Sequence, residues 1–384
     1  MHMYLAEDDL MMRTMVSTTI RGLGVGKLTV ARDGQECLAL IEKAGIPDLF
    51  MLDVNMPNMD GYETCRALRS IPDCRDVPII FGAGLDQPRA CHRCFEVGGT
   101  DLIHKPYFIP ELRARLRVHL ERISMTRSLR AFHRRMEDAL QAAGAMQRSL
   151  MPGDGDLDLG APGLSFDWMF EPAESIGGDL WCVEPLGDGR IFVTLLDVCG
   201  HGLIAAINAF RVHGLFSRLA GQRATPGAWL SSLNTIMARD FRCEVFATGL
   251  CGVLDCEAGT FTYASAGSPR PLMGRRLVDG RWGIQVLPSS GFMLGMVAAA
   301  RYPARRIPFR QDQFLFLYSD GAIRTSEGSE MDDRTLSALL RSCVECGDPS
   351  PLSALSAALP GMTHHHDDVV MLWFAHRLGA DAYT

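Results

Sequence analysis

Residues 111–150 run for 40 positions with one glycine and no proline. The stretch is rich in Arg, Leu, Glu, Gln and Ala, which favour helix, and nothing else in it signals a turn. It reads as one long helix and separates two regions of different texture. From Met125 onward, apolar or small residues recur at alternating spacings of four and three: Leu129, Phe132, Met136, Ala139, Ala143, Met146 and Leu150. That is a heptad seam, suited to a coiled coil or helical hairpin. The arginines fall mostly off the seam and read as a solvated face. Two outcomes stay open: a homodimer formed through this helix, and a single helix packed on its own domains.

On the N-terminal side, short apolar runs (3–6, 28–31, 49–52, 78–81 and 101–104) alternate with amphipathic stretches such as 10–22 and 34–44. Five such units predict a doubly wound α/β domain over residues 1–120, with a five-stranded parallel sheet covered on both faces. On the C-terminal side, Pro152 and a Gly/Asp-rich loop stop the helix. Strand-like runs then dominate, at 191–196, 245–254, 260–264, 313–318 and 369–374, with helical patterns after Gly202 and after Thr225. That predicts an α+β domain over 151–384 with mostly antiparallel sheets and helices. The expected architecture is therefore multidomain, with 111–150 as a coiled-coil-like helical linker.

The net charge of −7 argues against a general polyanion binder, so no nucleic-acid partner is expected. No segment approaches the ~20 apolar residues of a membrane span. The N-terminus shows no basic region followed by an apolar core. A cytoplasmic protein without membrane contact is the expectation. The 12 cysteines are scattered and read as free thiols. Two C-x-x-C pairs, Cys91/Cys94 and Cys343/Cys346, read as neighbouring helix positions in different domains rather than as one zinc site. His364, His365 and His366 read as a polar loop before a strand.

Three acids, Glu7, Asp8 and Asp9, follow the first apolar run. Asp53 follows the third in "LFMLDVNMPNMDGYE", and Lys105 follows the fifth in "LIHKPY". Loops at the carboxyl ends of parallel strands share one crevice, so Glu7, Asp8, Asp53 and Lys105 should converge. Clustered carboxylates repel, and a hard cation such as Mg²⁺ relieves this. With "EDD", "LDVNMPNMDG" and "KPY", residues 1 to about 120 resemble a response-regulator receiver domain. The resemblance implies that Asp53 accepts phosphate from a sensor histidine kinase. It also implies one Mg²⁺ held by Glu7, Asp8, Asp53 and the backbone carbonyl of Asn55, with Lys105 on the phosphoryl group. Two positions depart from the receiver pattern. Ala83 stands where a Ser or Thr hydroxyl is usual, and Leu102 where an aromatic switch residue is usual.

Further acids lie in "IGGDLW" (Asp179), "LLDVCGHG" (Asp197), "FLYSDGAIRT" (Asp320) and "HHHDDVVMLWF" (Asp367, Asp368). Each motif sits at the end of an apolar run or in the turn beyond. One Asp–Gly is a turn signal. Four acidic motifs at strand ends point instead to carboxylates that converge and must find cations or stay protonated. Oxygen-only ligands favour Mg²⁺ or Mn²⁺ over zinc. Gly200 and Gly202 clear space around His201. "GGD" also occurs in diguanylate cyclases, but Leu180 and Trp181 follow it here and the other three motifs would go unexplained.

Together with "AMQRSLMP", "VFATGLCGVLD" and "SSGFMLGM", these motifs are similar to the PPM-type metal-dependent Ser/Thr protein phosphatases in their SpoIIE/RsbU-like branch, over 146 to about 376. The resemblance implies two Mn²⁺ or Mg²⁺ ions bound by Asp179, Asp197, Asp320 and Asp367. The backbone carbonyl of Val198 is a further ligand, and Asp368 is the weaker candidate of its pair. Water activated by the ions attacks the phosphorus of phosphoserine or phosphothreonine, and His201 protonates the leaving oxygen or positions the phosphate. Ser268 stands where this branch often has a histidine.

The expected function is a two-component response regulator that dephosphorylates a partner protein, by resemblance a serine-phosphorylated anti-sigma-factor antagonist in a partner-switching pathway. The alternative is a non-catalytic adaptor for a sigma factor or its regulator. Such adaptors typically lose acidic ligands, and this chain keeps them.

Overall fold

The computed structural model describes residues 1–84, 90–151, 158–200, 202–241, 244–324, 329–346, 351–359 and 367–376. Its contacts divide into two units, residues 1–135 and 136–384. Among the described residues no helix is long and apolar enough to cross a membrane.

The first unit alternates strands and helices: β1 (His2–Ala6), α1 (Leu10–Arg21), β2 (Lys27–Ala31), α2 (Gly34–Ala44), β3 (Leu49–Asp53), α3 (Gly61–Ser70), β4 (Ile79–Gly84), α4 (Ala90–Glu96) and β5 (Asp101–Lys105). The five strands pair in parallel in the order β2-β1-β3-β4-β5. Side chains alternate between the two faces, as the strand period of two requires. Tyr4, Phe50, Leu52 and Phe81 pack with Tyr62, Cys65 and Leu68 of α3. Met3, Leu5, Met51, Ile80 and Ile103 face the other way, onto Val16 and Ile20 of α1. Asp9, Asp33 and Asp60 accept hydrogen bonds from the first-turn N–H groups of α1, α2 and α3, and Glu63 completes a capping box with Asp60.

Helix α5 (Ile109–Ser149) follows, and the division between the units falls within it. Its first turns bury Leu112, Leu116 and Leu120 against the parallel sheet. Farther along, the heptad residues Leu129, Phe132, Met136 and Met146 are exposed. The face buried at the helix end is a neighbouring one, carrying Gly144 and Gln147. A Cβ at Gly144 would stand 2.3 Å from the Ser175 carbonyl oxygen, so backbone approaches backbone there. Such an approach selects a small residue and leaves the bulky seam outside.

The second unit holds β6 (Leu164–Glu171), β7 (Asp179–Gly187), β8 (Arg190–Val198), α6 (Gly202–Arg218), α7 (Pro226–Asp240), β9 (Ala247–Asp255), β10 (Thr260–Ala266), β11 (Leu272–Arg276), β12 (Trp282–Val286), β13 (Arg305–Pro308), β14 (Gln313–Tyr318), α8 (Asp333–Glu345), α9 (Pro351–Ala358) and β15 (Val369–His376). Two antiparallel sheets, β13-β10-β9-β8-β7 and β12-β11-β14-β15-β6, stack face to face. Ile191, Val193 and Leu195 of the first meet Leu315, Leu317, Val370 and Leu372 of the second. Phe192 and Leu196 point outward onto α6 and α7, through Val212, Trp229 and Leu233. Phe314 and Phe316 point outward onto Leu336 and Leu340 of α8 and Leu355 of α9. The result is a helix–sheet–sheet–helix sandwich. Cys343 is buried in α8 and Cys346 is exposed beyond its end. Residues 364–366 and the side chain of Cys91 lie outside the described residues.

Candidate phosphoacceptor and metal sites

At the carboxyl ends of β1, β3 and β5 the structure brings Glu7, Asp8, Asp53 and Lys105 together. Carboxylate oxygens of Glu7, Asp8 and Asp53 lie within 4.8 Å of one another. Glu7 and Asp53 are buried, and Asp8 is exposed. The Lys105 ammonium lies 2.8 Å from Glu7 and 2.7 Å from Asp53 Oδ2. Burial pushes the Glu7 carboxyl up to about 7; the bond from Lys105 opposes the rise and the charge of Asp53 adds to it. Asn55 is exposed, and its backbone N–H lies 3.4 Å from Asp53 Oδ1. An all-oxygen set of this kind fits one hard divalent cation.

Ala83 in β4 and Leu102 in β5 are both buried. The crevice takes a hydroxyl from another residue, Tyr107, which the sequence reading passed over. Its Oη lies 3.4 Å from Glu7 Oε2. A Cβ at Gly82 would stand 2.0 Å from that same oxygen, so the missing side chain at 82 makes room for the phenol. Burial, with the charges of Glu7 and Asp53, pushes the Tyr107 hydroxyl far above its ordinary range, so it acts as a neutral donor. The available signal was a glycine inside a strand, which often marks close approach.

In the second unit, Asp179 opens β7 and Asp197 sits near the end of β8, directly opposite in the antiparallel register. Like charges so placed are destabilising. Asp320 begins the single 3₁₀ turn after β14, and Asp367 and Asp368 lead into β15, the neighbour of β14. The acids feel one another across these segments. Burial first, then the charges of Asp320, Asp367 and Asp368, push Asp197 up to about 7. Burial, then Asp197 and Asp368, hold Asp179 well above the carboxylate range. Burial, then Asp367, raise Asp320. Asp179 Oδ2 is buried and has no hydrogen-bond partner among the described residues.

Asp368 behaves differently from Asp367. Its Oδ1 accepts from the Ala173 N–H at 2.9 Å and its Oδ2 from the Gly178 N–H at 2.5 Å, with the Asp179 N–H at 3.4 Å. It ties down the loop that carries Asp179. A Cβ at Gly178 would meet the Val198 carbonyl oxygen at 2.5 Å, so glycine there keeps that oxygen uncovered. Gly200 and Gly202 have φ of 101° and 66°, which explains glycine on both sides of position 201. His201 itself lies outside the described residues.

In this unit sequence reasoning missed two further residues that contact the acids or their loop. Arg324 donates from Nη2 to Asp320 Oδ2 at 2.7 Å and from Nη1 to Asp367 Oδ2. Its signal was the spacing of four from Asp320. Gln147, buried at the end of α5, donates to the Gly177 carbonyl at 2.8 Å and accepts from the Gly177 N–H at 3.0 Å. It grips the loop before Asp179 by both amide atoms. A groove of about 470 Å³ beside Asp320 is lined by Thr248, Ser268, Arg270 and Tyr318, which places Ser268 at its wall. Mutually repelling carboxylates, an orphaned buried oxygen and an oxygen-only donor set fit hard divalent cations.

Comparisons with known proteins agree with this division. Residues 3–117 match the response regulator receiver domain, and residues 187–377 match the Stage II sporulation protein E (SpoIIE) family. Asp179 lies just ahead of the second match. Protein RcaC of Microchaete diplosiphon is 36% identical over 121 residues, covering 32% of this chain and 18% of its own length. Response regulator MprA of Mycobacterium sp. (strain KMS) is 36% identical over 118 residues, covering 31% of this chain and 50% of its own. The chain thus spans half or less of these relatives. The solved SiaA-PP2C domain of Pseudomonas aeruginosa covers 64% of this chain and 98% of its own at 20% identity, with a TM-score of 0.55, a likeness of fold. The chain is a response-regulator receiver domain joined to a SpoIIE-family domain of the PPM phosphatase fold.

Proposed function

We propose that the chain is a response regulator whose output is metal-dependent removal of phosphate from phosphoserine or phosphothreonine on a partner protein. What supports this is that Asp179 and Asp197 face each other across β7 and β8, that the charges of Asp320 and Asp367 reach Asp197, and that among the described residues a buried Asp179 oxygen has no hydrogen-bond partner. When bound, divalent cations supply positive charge for the phosphate oxygens and lower the pKa of water toward neutrality.

The chain's own residues do the rest. Asp179, Asp197, Asp320 and Asp367 hold the cations, with the Val198 carbonyl beside them. Asp368 fixes the Asp179 loop through backbone N–H groups. The groove walled by Thr248 and Ser268 takes the phosphorylated segment. His201 protonates the leaving oxygen or positions the phosphate.

In the receiver, Asp53 accepts the phosphoryl group from a sensor histidine kinase. Lys105 meets it, and Glu7, Asp8 and the Asn55 carbonyl complete a Mg²⁺ site. The route to the output runs along α5, whose last turn grips Gly177. The exposed Leu129, Phe132 and Met136 support pairing of two copies through the same helix. The substrate class that fits is a serine-phosphorylated anti-sigma-factor antagonist. The test is Mn²⁺-dependent phosphate release from such a protein by the full-length chain, with Asp197→Ala as control. Release that Asp197→Ala abolishes supports the enzyme. Tight binding of the antagonist or a sigma factor with no release by either protein leaves the adaptor reading standing instead.

A further inference from the structure

The acid cluster of the second unit is asymmetric. At one end, Asp179 and Asp197 face each other, and among the described residues Asp179 Oδ2 has no hydrogen-bond partner. At the other, one guanidinium spans Asp320 and Asp367. The Arg324 backbone is fixed by its own N–H, which donates to the Asp320 carbonyl at 3.1 Å. Its side chain is 37% exposed, so the group can leave toward solvent. The oxygens it holds, Asp320 Oδ2 and Asp367 Oδ2, belong to carboxylates proposed above to hold a cation. Arginine does not deprotonate in proteins, so those carboxylates are freed only by moving it.

We propose that Arg324 is the resident counter-cation of the Asp320–Asp367 end, competing with a divalent cation for the same oxygens. The inference rests on the phosphatase reading and adds an order of loading: the Asp179–Asp197 end fills first, and the other end fills as the guanidinium is displaced. The fork geometry matters as well as the charge. A lysine at 324 is a compact, strongly hydrated charge without the rigid planar fork, so it holds the two carboxylates less firmly and competes less well.

The experiment titrates the metal-free full-length protein with Mn²⁺ and follows free Mn²⁺ by its electron-spin resonance signal. Wild type, Arg324→Gln and Arg324→Lys are compared, and the receiver site, common to all three, cancels in the comparison. The expected result is that Arg324→Gln tightens the weaker Mn²⁺ site by about tenfold, equivalent to ~1.4 kcal/mol, with Arg324→Lys between it and wild type. Thermal unfolding in EDTA gives a second readout. Metal-free Arg324→Gln should melt below wild type and gain more on Mn²⁺ addition. Superimposable titrations, or weaker Mn²⁺ binding by Arg324→Gln, overturn the proposal while leaving the phosphatase reading intact. Mn²⁺ binding confined to the receiver, in that Asp197→Ala removes no Mn²⁺ from wild type, overturns both.

Discussion

The protein contains two acidic crevices, and each has one basic side chain laid across two carboxylates. In the receiver, Lys105 is 19% exposed and joins Glu7 to Asp53, both nearly sealed from solvent. In the SpoIIE-family unit, Arg324 is 37% exposed and joins Asp320 to Asp367, while among the described residues no basic side chain bridges Asp179 and Asp197. The receiver acids crowd within 4.8 Å of one another; among the described residues, no three acids of the other unit do. The lysine is walled in by the two carboxylates it joins. The arginine lies at an edge it can leave. Lys105 offsets part of the charge of the first crevice, whereas in the second the one bridging cation among the described residues lies at the Asp320–Asp367 end.

That contrast can be broken most sharply by paired substitutions. Asp197→Ala is expected to lower Mn²⁺-dependent phosphate release by about 10²–10³-fold, a loss on the scale of removing a central electrostatic group. Asp53→Ala should leave basal release in place and abolish only its response to acyl phosphate. Equal losses from both would erase the distinction.

A second, smaller effect concerns pH. Asp197 is raised from 3.8 to about 7 in the folded chain, so the native state holds this proton where the unfolded state has lost it. Its contribution to stability is full below the unfolded value and disappears as pH rises through about 7. Glu7, raised from 4.5 to about 7, has the same sign. Melting temperature in EDTA should therefore fall between pH 5 and pH 8, and Mn²⁺ should restore it at the upper end. Asp197→Asn should flatten the profile, and a profile as steep as wild type would refute the assignment.

Smaller still, Gln147→Ala removes two buried hydrogen bonds to Gly177 and should cost ~1–3 kcal/mol of stability, read by denaturant titration, together with a lower turnover. Tyr107→Phe loses one long bond to Glu7 and should cost ~0.5–1 kcal/mol, with a changed lifetime of phosphorylated Asp53 on phosphate-affinity gels.

Much of the fold was legible because its pattern is local. The apolar runs of the receiver are continuous because both faces of its parallel sheet are covered, and the acids stood out as charges directly after them. Strands such as β6 and β12 gave no comparable signal, because their residues are only partly buried and alternation is weak. The acids proposed to hold metal were legible as charges at the ends of apolar runs, with a glycine near Asp179, Asp197 and Asp320. Arg324 and Tyr107 were not, because each acts through a partner distant in sequence, Asp367 for one and Glu7 for the other. The heptad seam was legible as a pattern, yet the face that packs at the helix end is the Gly144–Gln147 face. Close backbone approach, which no apolar count detects, selected it.

Gln147 seats both atoms of its amide on a single glycine, so α5 meets the Asp179 loop in one rotational setting. Turning the helix by one residue, about 100°, would carry the amide off its seat and bring Met146 or Arg148 round toward it. The loop thereby reads the angle of the helix and not only its presence. A shaft keyed in this way can pass on a twist applied many residues upstream without any change in its length.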